Sequence, residues 1–403
     1  MASKYDSDDS RAATPEPESS DDEVDVHEIV RSGTKEQLDW ALTRDRYKML
    51  HYKERGTGRT PLHTAVMLPR EDMVMLLVKY KAEIDFRDGD ARTPFHHACA
   101  LGLTDMARYL LDQGASIKIK DKDAWTALHH AVMNNHYETA EMLVKRSVDL
   151  SAEEQGSGRT ALHFCAELGL HEMAEMLIAR GADMYASGDA IYSKTPLHLA
   201  CMNGFTDVVA VLLRRGANIE ALSGFLDKTP LHLACEKGFI EVIEALLIAG
   251  ADVERTGETH NGATALHLAA QYGHAQSATL LLRYHADPAQ WGRGTTVGSA
   301  LHVAAQYGQS NVVRALLASG GVHVDHKDPT GFTALHTACK YGQYDCAKEL
   351  INSDADVLVQ ANNGKQPLEM CTSGSLREDL RLVVHDREDW LKEKRRQEHE
   401  EVS

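Results

Sequence analysis

Long apolar runs are missing from this chain: no stretch of 18 apolar residues occurs, which argues against a membrane-spanning helix. Positive charge is also in deficit. Against 60 Asp and Glu there are 43 Lys and Arg, for a net charge of −17, so general affinity for nucleic acid or an anionic membrane surface is not expected. The opening residues MASKYDSDDS are acidic where a secretory leader is basic and then apolar. No N-x-S/T sequon occurs, which fits a reducing, intracellular setting, cytoplasmic or nuclear. Aromatics make up only 6% of residues, whereas 43% are hydrophobic, a balance suited to a Leu/Ala-rich helical protein.

What is abundant is repetition. A nine-residue phrase begins at Thr60 (TPLHTAVML), Thr93 (TPFHHACAL), Thr126 (TALHHAVMN), Thr160 (TALHFCAEL) and Thr195 (TPLHLACMN). It continues at Thr229 (TPLHLACEK), Thr264 (TALHLAAQY), Ser299 (SALHVAAQY) and Thr333 (TALHTACKY), in steps of 33 to 35 residues. Such a period means stacked units that each contact only their neighbours and share one long core. A chain of this length would otherwise suggest two or three globular domains.

One unit shows how the phrase folds. Thr93 caps a helix and Pro94 takes its first position, where a missing N–H costs nothing. Gly102 ends that helix in a left-handed conformation. A second helix, roughly Thr104 to Gln113, places Met106, Ala107, Leu110 and Leu111 at helical spacing. Gly114 stops it, and Ala115 to Asp123 returns as an extended turn or short hairpin. Six cysteines (Cys99, Cys165, Cys201, Cys235, Cys339 and Cys371) occupy a small-residue column and read as buried hydrophobes.

The T-P-L-H phrase, the Gly nine places on, the Leu-Leu pair and the Gly-Ala before the turn resemble the ankyrin repeat. The resemblance covers about residues 58–366. It implies an all-α solenoid of stacked helix–turn–helix units with β-turn or hairpin tips, with each phrase His in a structural role bonded to nearby backbone. The expected organisation is an acidic disordered tail over 1–26, a capping repeat over 27–57, repeats over 58–363, a degenerate repeat with a capping helix over 364–391, and a charged tail over 392–403. Repeats start near 58, 91, 124, 158, 193, 227, 262, 298 and 331. Asn135 and Pro69 stand where a Gly would end the first helix; Lys81, Ser147, His285 and Asp354 replace the Gly after the second. Pro288 and an extra residue near Gly321 disturb two turns.

The flanks follow the same logic. Thr34 and Gln37 form a capping box, and Ser375 with Glu378 opens a final helix carrying Leu376, Leu380, Val383, Val384 and Leu391 on one face. That stripe reads as an end cap or as a partner helix. The 1–26 segment holds nine acids against two bases. Ser19, Ser20 and Thr14 sit in contexts compatible with phosphorylation, and Lys392 to Arg396 read as a solvated helix end or a nuclear import signal.

Catalytic and ligand motifs fail at required residues. Gly257 to Thr264 outlines a phosphate loop with Ala263 where Lys must stand. Gly292, Gly294 and Gly298 lack dinucleotide-loop spacing, and His171, Glu172 and Glu175 lack the second zinc His. The His96–His97 and His129–His130 doublets diverge by about 100° on a helix. No enzyme activity, cofactor or metal is therefore expected. The expected role is protein binding as adaptor, scaffold or inhibitor through the concave face and hairpin tips, by a chain that is monomeric on its own; the alternative is a targeting or regulatory subunit of an enzyme supplied by another polypeptide. Two columns supply candidate contacts. Before the phrase stand Arg59, Arg92, Trp125, Arg159, Lys194, Lys228 and, later, Phe332; at its ninth position stand Tyr272, Tyr307 and Tyr341. Arg, Tyr and Trp dominate binding hot spots.

Overall fold

The computed structural model describes residues 25–401 apart from 189–192, 225–226, 258–261 and 293–297, with side chains described as far as residue 387. The sequence readings on the acidic tail before Asp25 and on parts of both glycine motifs lie outside the described residues, as do the side chains of Leu391 and the charged tail. Contacts group the chain into one unit through His97 and another from Ala98 onward.

In the first unit, Asp25 caps Val26–Ser32 and Thr34 caps Lys35–Arg44, the latter through a reciprocal box with Gln37. Arg46–His51 follows, and then the first phrase helix, Pro61–Met67, pairs with Glu71–Lys79. Pro94–Ala100 begins in this unit.

In the second unit the first helices are Ala127–Met133, Ala161–Leu168, Pro196–Asn203, Pro230–Lys237, Ala265–Tyr272, Ala300–Tyr307 and Ala334–Tyr341. Each is followed by a nine-residue second helix, such as Ala275–Arg283 after Ala265–Tyr272. First helices pack on first helices of the next repeat, and second on second. The cause is compositional. Alanine and cysteine (Ala269, Ala304, Ala338, Cys339) let the first helices approach closely, while Leu246, Leu281 and Leu316 fill the space beneath the second helices. All seven cysteines are free and buried, and burial pushes the thiols of Cys99, Cys165, Cys201 and Cys235 well above their ordinary range. The last repeat degrades to a 3₁₀ turn, Pro367–Met370, before the helix Gly374–Glu401, which buries Leu380.

Among the described residues the tips form turns and no strand; a single bridge joins Ser223 and Lys228. Carboxylates pin several of these turns. Asp121 Oδ1 accepts the backbone N–H groups of Asp123 and Trp125, and Asp328 Oδ1 those of Thr330 and Phe332.

The residues that replace glycine keep its conformation. Asn135 ends its helix at φ 56°, and Lys81, Ser147 and His285 hold φ of 68°, 58° and 67°. A side chain there costs about 1 kcal/mol. Because Lys81, Ser147 and His285 point into solvent, glycine should raise stability by roughly 0.5–1 kcal/mol at each, after allowing for the extra freedom of glycine in the unfolded chain. Thermal melts of the three single variants check this, and a lower Tm in all three would show that the left-handed geometry carries no cost.

Candidate functional site

Most of the phrase histidines tie two repeats together; His129 Nε2 is buried without a hydrogen-bond partner. In the helix Ala265–Tyr272, the N–H of Thr264 donates to His267 Nδ1 at 3.2 Å, and Thr264 Oγ1 lies 2.8 Å from the same nitrogen. The ring's other face reaches forward: His267 Nε2–H donates to the Gly298 carbonyl at 3.2 Å. His63 does the same to Arg92, His163 to Lys194, His198 to Lys228, His302 to Phe332 and His336 to Lys365, at 3.0 to 3.1 Å. Nearby backbone accounts for half of what the sequence suggested; the other half is a bond about 30 residues ahead. With Nδ1 accepting and Nε2 donating, the ring must be neutral. Burial accordingly lowers His63, His129, His163, His198 and His267 from 6.5 to about 4.

The second histidine of each doublet anchors a turn. His97 Nε2 lies 2.8 Å from Asp88 Oδ2, and His130 Nε2 lies 2.9 Å from Asp121 Oδ2. His63, Asp88 and His97 place ligand atoms within 4.8 Å of one another, the spacing of a metal site. Their hydrogen bonds explain that proximity. His63 uses both nitrogens, on Thr60 and Arg92; Asp88 Oδ1 takes the N–H groups of Asp90 and Arg92; and the Arg59 guanidinium stands 3.9 Å from Oδ2. A cation would have to displace these partners beside a fixed positive charge. His130 and Asp121 repeat the pairing one unit later, as an anchor and not a ligand set.

The charged part of the column before the phrase is half-buried, or buried at Lys228, and several of its side chains are engaged within the chain. Arg159 pairs with Glu154 at 3.1 Å and with Glu167 at 2.6 Å, and its guanidinium lies 4.9 Å above the Phe164 ring. Lys228, only 8% exposed, pairs with Glu236 at 2.5 Å. Lys194 Nζ lies 3.5 Å from Met202 Sδ, and Arg92 supplies backbone groups to Asp88 and His63. Trp125 packs 5.1 Å from Phe164 and 5.3 Å from His130. Phe332 stacks on His336 at 5.5 Å under Lys340.

The tyrosine column turns outward. Tyr272, Tyr307 and Tyr341 are 45%, 48% and 47% exposed, each the last residue of its helix before a left-handed glycine. Burial, then Glu236 and Tyr307, push the Tyr272 phenol above its ordinary value, so neighbouring tyrosines sense one another. A further column, which the sequence reading passed over, holds the helix ends of Tyr272 and Tyr307 in place. Gln309 Nε2 donates to the Gln271 carbonyl and Gln343 Nε2 to the Gln306 carbonyl, both at 3.2 Å. A Cβ on Gly273 would stand 2.3 Å from Gln309 Oε1, so glycine is needed there for close approach as well as for φ of 81°. His136 and His274 reach back in the same way to Ala100 and Glu236. The signal was a large residue directly after each helix-ending position.

The sequence model of the family described as ankyrin repeats (3 copies) matches overlapping stretches from residue 26 to residue 390: 26–121, 113–188, 185–257, 224–291, 255–328 and 301–390. Among solved structures, the ankyrin repeat domain of human ASB11 aligns with 27% identity and a TM-score of 0.50, over 56% of this chain and 98% of that one. No curated protein sequence matches. No helix among the described residues is long and apolar enough to cross a membrane. Phrase, braces, glycine ends and matches agree: this chain belongs to the ankyrin-repeat family.

Proposed function

We propose that the chain is a non-catalytic protein-binding module, acting as an adaptor, scaffold or inhibitor inside the cell, and that a partner docks on the column Tyr272, Tyr307 and Tyr341. Ankyrin repeats are generally protein–protein interaction modules, which supports the class. One observation carries the choice of surface: of the two candidate columns, the tyrosines are the more exposed. Arg59, Arg159 and Lys228 instead meet carboxylates of the same chain, so they offer a partner little unneutralised charge.

Changing the three tyrosines to Ala should leave Tm within about 2 °C, since exposed side chains contribute within roughly 0.5 kcal/mol each. Binding of the principal cellular partner should fall by about a hundredfold, as loss of central aromatic anchors costs roughly 2–4 kcal/mol. Pull-down with calorimetry measures both. Unfolding of the variant would make the column part of the core, and unchanged binding would move the contact elsewhere. The same pull-down weighs the second reading, a targeting subunit, because an enzyme that co-purifies and loses its hold on the triple variant would identify the catalytic polypeptide.

A further inference from the structure

The strip between Tyr272 and Tyr307 is uncharged. Behind Tyr272 and Tyr307 stand Gln271 and Gln306, and the column before the phrase reads Ala263, Gly298 and Phe332. Charge returns at Glu236 and Lys237 on one side and, on the other, at Lys340, whose Nζ lies 5.3 Å from the Tyr341 ring centre. A complementary ligand is therefore itself uncharged over this span.

Spacing narrows the ligand further. The three tyrosines sit at the same position of consecutive first helices that pack directly on one another. Packed helices lie about 8–10 Å apart, so the rings recur at about that interval. A polyproline II segment returns the same side to a surface every third residue, about 9 Å apart. An extended strand repeats at roughly 6.8 Å and falls out of step with the column. An α-helix matches less well chemically, because its backbone is already hydrogen-bonded. Polyproline II leaves its carbonyls unbonded, and here the half-buried Gln271 and Gln306 amides and the tyrosine hydroxyls are donors beside the rings. Gln271 and Gln306 side chains make no hydrogen bond among the described residues. The Gln309 and Gln343 braces fix the helix ends that carry Tyr272 and Tyr307, so those two rungs are ordered before a ligand arrives.

We propose that Tyr272, Tyr307 and Tyr341 form a docking ladder for an uncharged, proline-rich partner segment in polyproline II conformation, one proline against each ring. The inference rests on the tyrosine column being the binding surface and adds the chemistry of what binds there.

The test uses the full-length chain and three fluorescent peptides of about 12 residues, uncharged throughout. One carries proline at every third position, one has the same composition with prolines out of that spacing, and one replaces proline with glycine. Anisotropy titration should show the first binding at least about tenfold more tightly than either other, and losing about tenfold or more on Tyr307→Ala and on the Gln271→Ala/Gln306→Ala pair. Equal affinities of the three peptides, or indifference to both variants with an unchanged circular dichroism spectrum, would overturn it. A parallel selection from a random displayed peptide library separates the two claims. Binders that depend on the tyrosines but lack the proline spacing sink the ligand class and leave the surface standing; binders indifferent to the tyrosines sink both.

Discussion

Lowering the pH from 7 to 5 should unfold the second unit with unusual steepness. His129, His163, His198 and His267 all lie there, each lowered by burial from 6.5 to about 4. The folded value lies below the unfolded one, so between about pH 6.5 and 4 the unfolded chain binds more protons than the folded chain. The stability these rings supply is complete above about pH 6.5 and is lost as pH falls through that window. Near pH 5 each ring contributes nearly one extra proton to the unfolded state. Four rings then give a slope of roughly 5 kcal/mol per pH unit. By pH 5 the accumulated loss is about 7 kcal/mol, comparable with the whole stability of an ordinary domain. The stereochemical reason is direct. A proton on Nδ1 confronts the threonine N–H that donates to that atom, as at Thr195 and His198, 3.2 Å apart.

Urea denaturation at intervals from pH 7.5 to 4.5, followed by circular dichroism, measures the slope. His198→Gln should lower it by about one proton, because Gln at the third helical position still accepts the capping N–H, as Gln37 does from Thr34. Stability that stays flat from pH 7 to 5 would mean these rings are not held neutral by burial. In the array itself, unfolding can proceed by parts, so the steepest loss belongs to the repeats from Thr126 to Thr264, where the four rings lie.

How much of this was legible in sequence depends on the range of each interaction. The first-helix boundaries were, because a Thr cap, Pro or Ala at the first position, and a left-handed end are settled within nine residues; Pro196–Asn203 between Thr195 and Gly204 is an example. The left-handed geometry of Lys81 and Ser147 was legible by register alone. The forward bonds of the phrase histidines were not, since His63 and Arg92 meet only after the repeats stack. The fate of the cationic column sits between these cases. Arg159 meets Glu167 and Lys228 meets Glu236, both eight residues on. That spacing places the first residue just before a helix and the second on its last turn. Reading the columns singly hid the pairing; reading across them would have revealed it.

That pairing gives unequal outcomes for its two partners. Lys228 is buried, with its ammonium on Glu236. Glu236 is more exposed, at 17% of its side chain against 10% for Lys228, and it has a second cation, Lys237, at 3.8 Å. Glu236→Ala strands the buried ammonium and should cost about 3 kcal/mol. Lys228→Met removes the buried charge, keeps the stem that fills the space, and leaves Glu236 paired with Lys237 and near solvent. It should cost less than about 1 kcal/mol or stabilise the chain. The double variant should recover most of the loss of Glu236→Ala, a coupling of about 2 kcal/mol in a mutant cycle. Equilibrium urea melts of the four proteins at pH 7.5, where the phrase histidines are neutral in both states, measure this without interference. If Lys228→Met is as damaging as Glu236→Ala, the pair is a net stabiliser and not a compensated buried charge. If Lys228→Met keeps stability but abolishes partner binding, Lys228 belongs to the contact surface after all, and the tyrosine column shares that role with it.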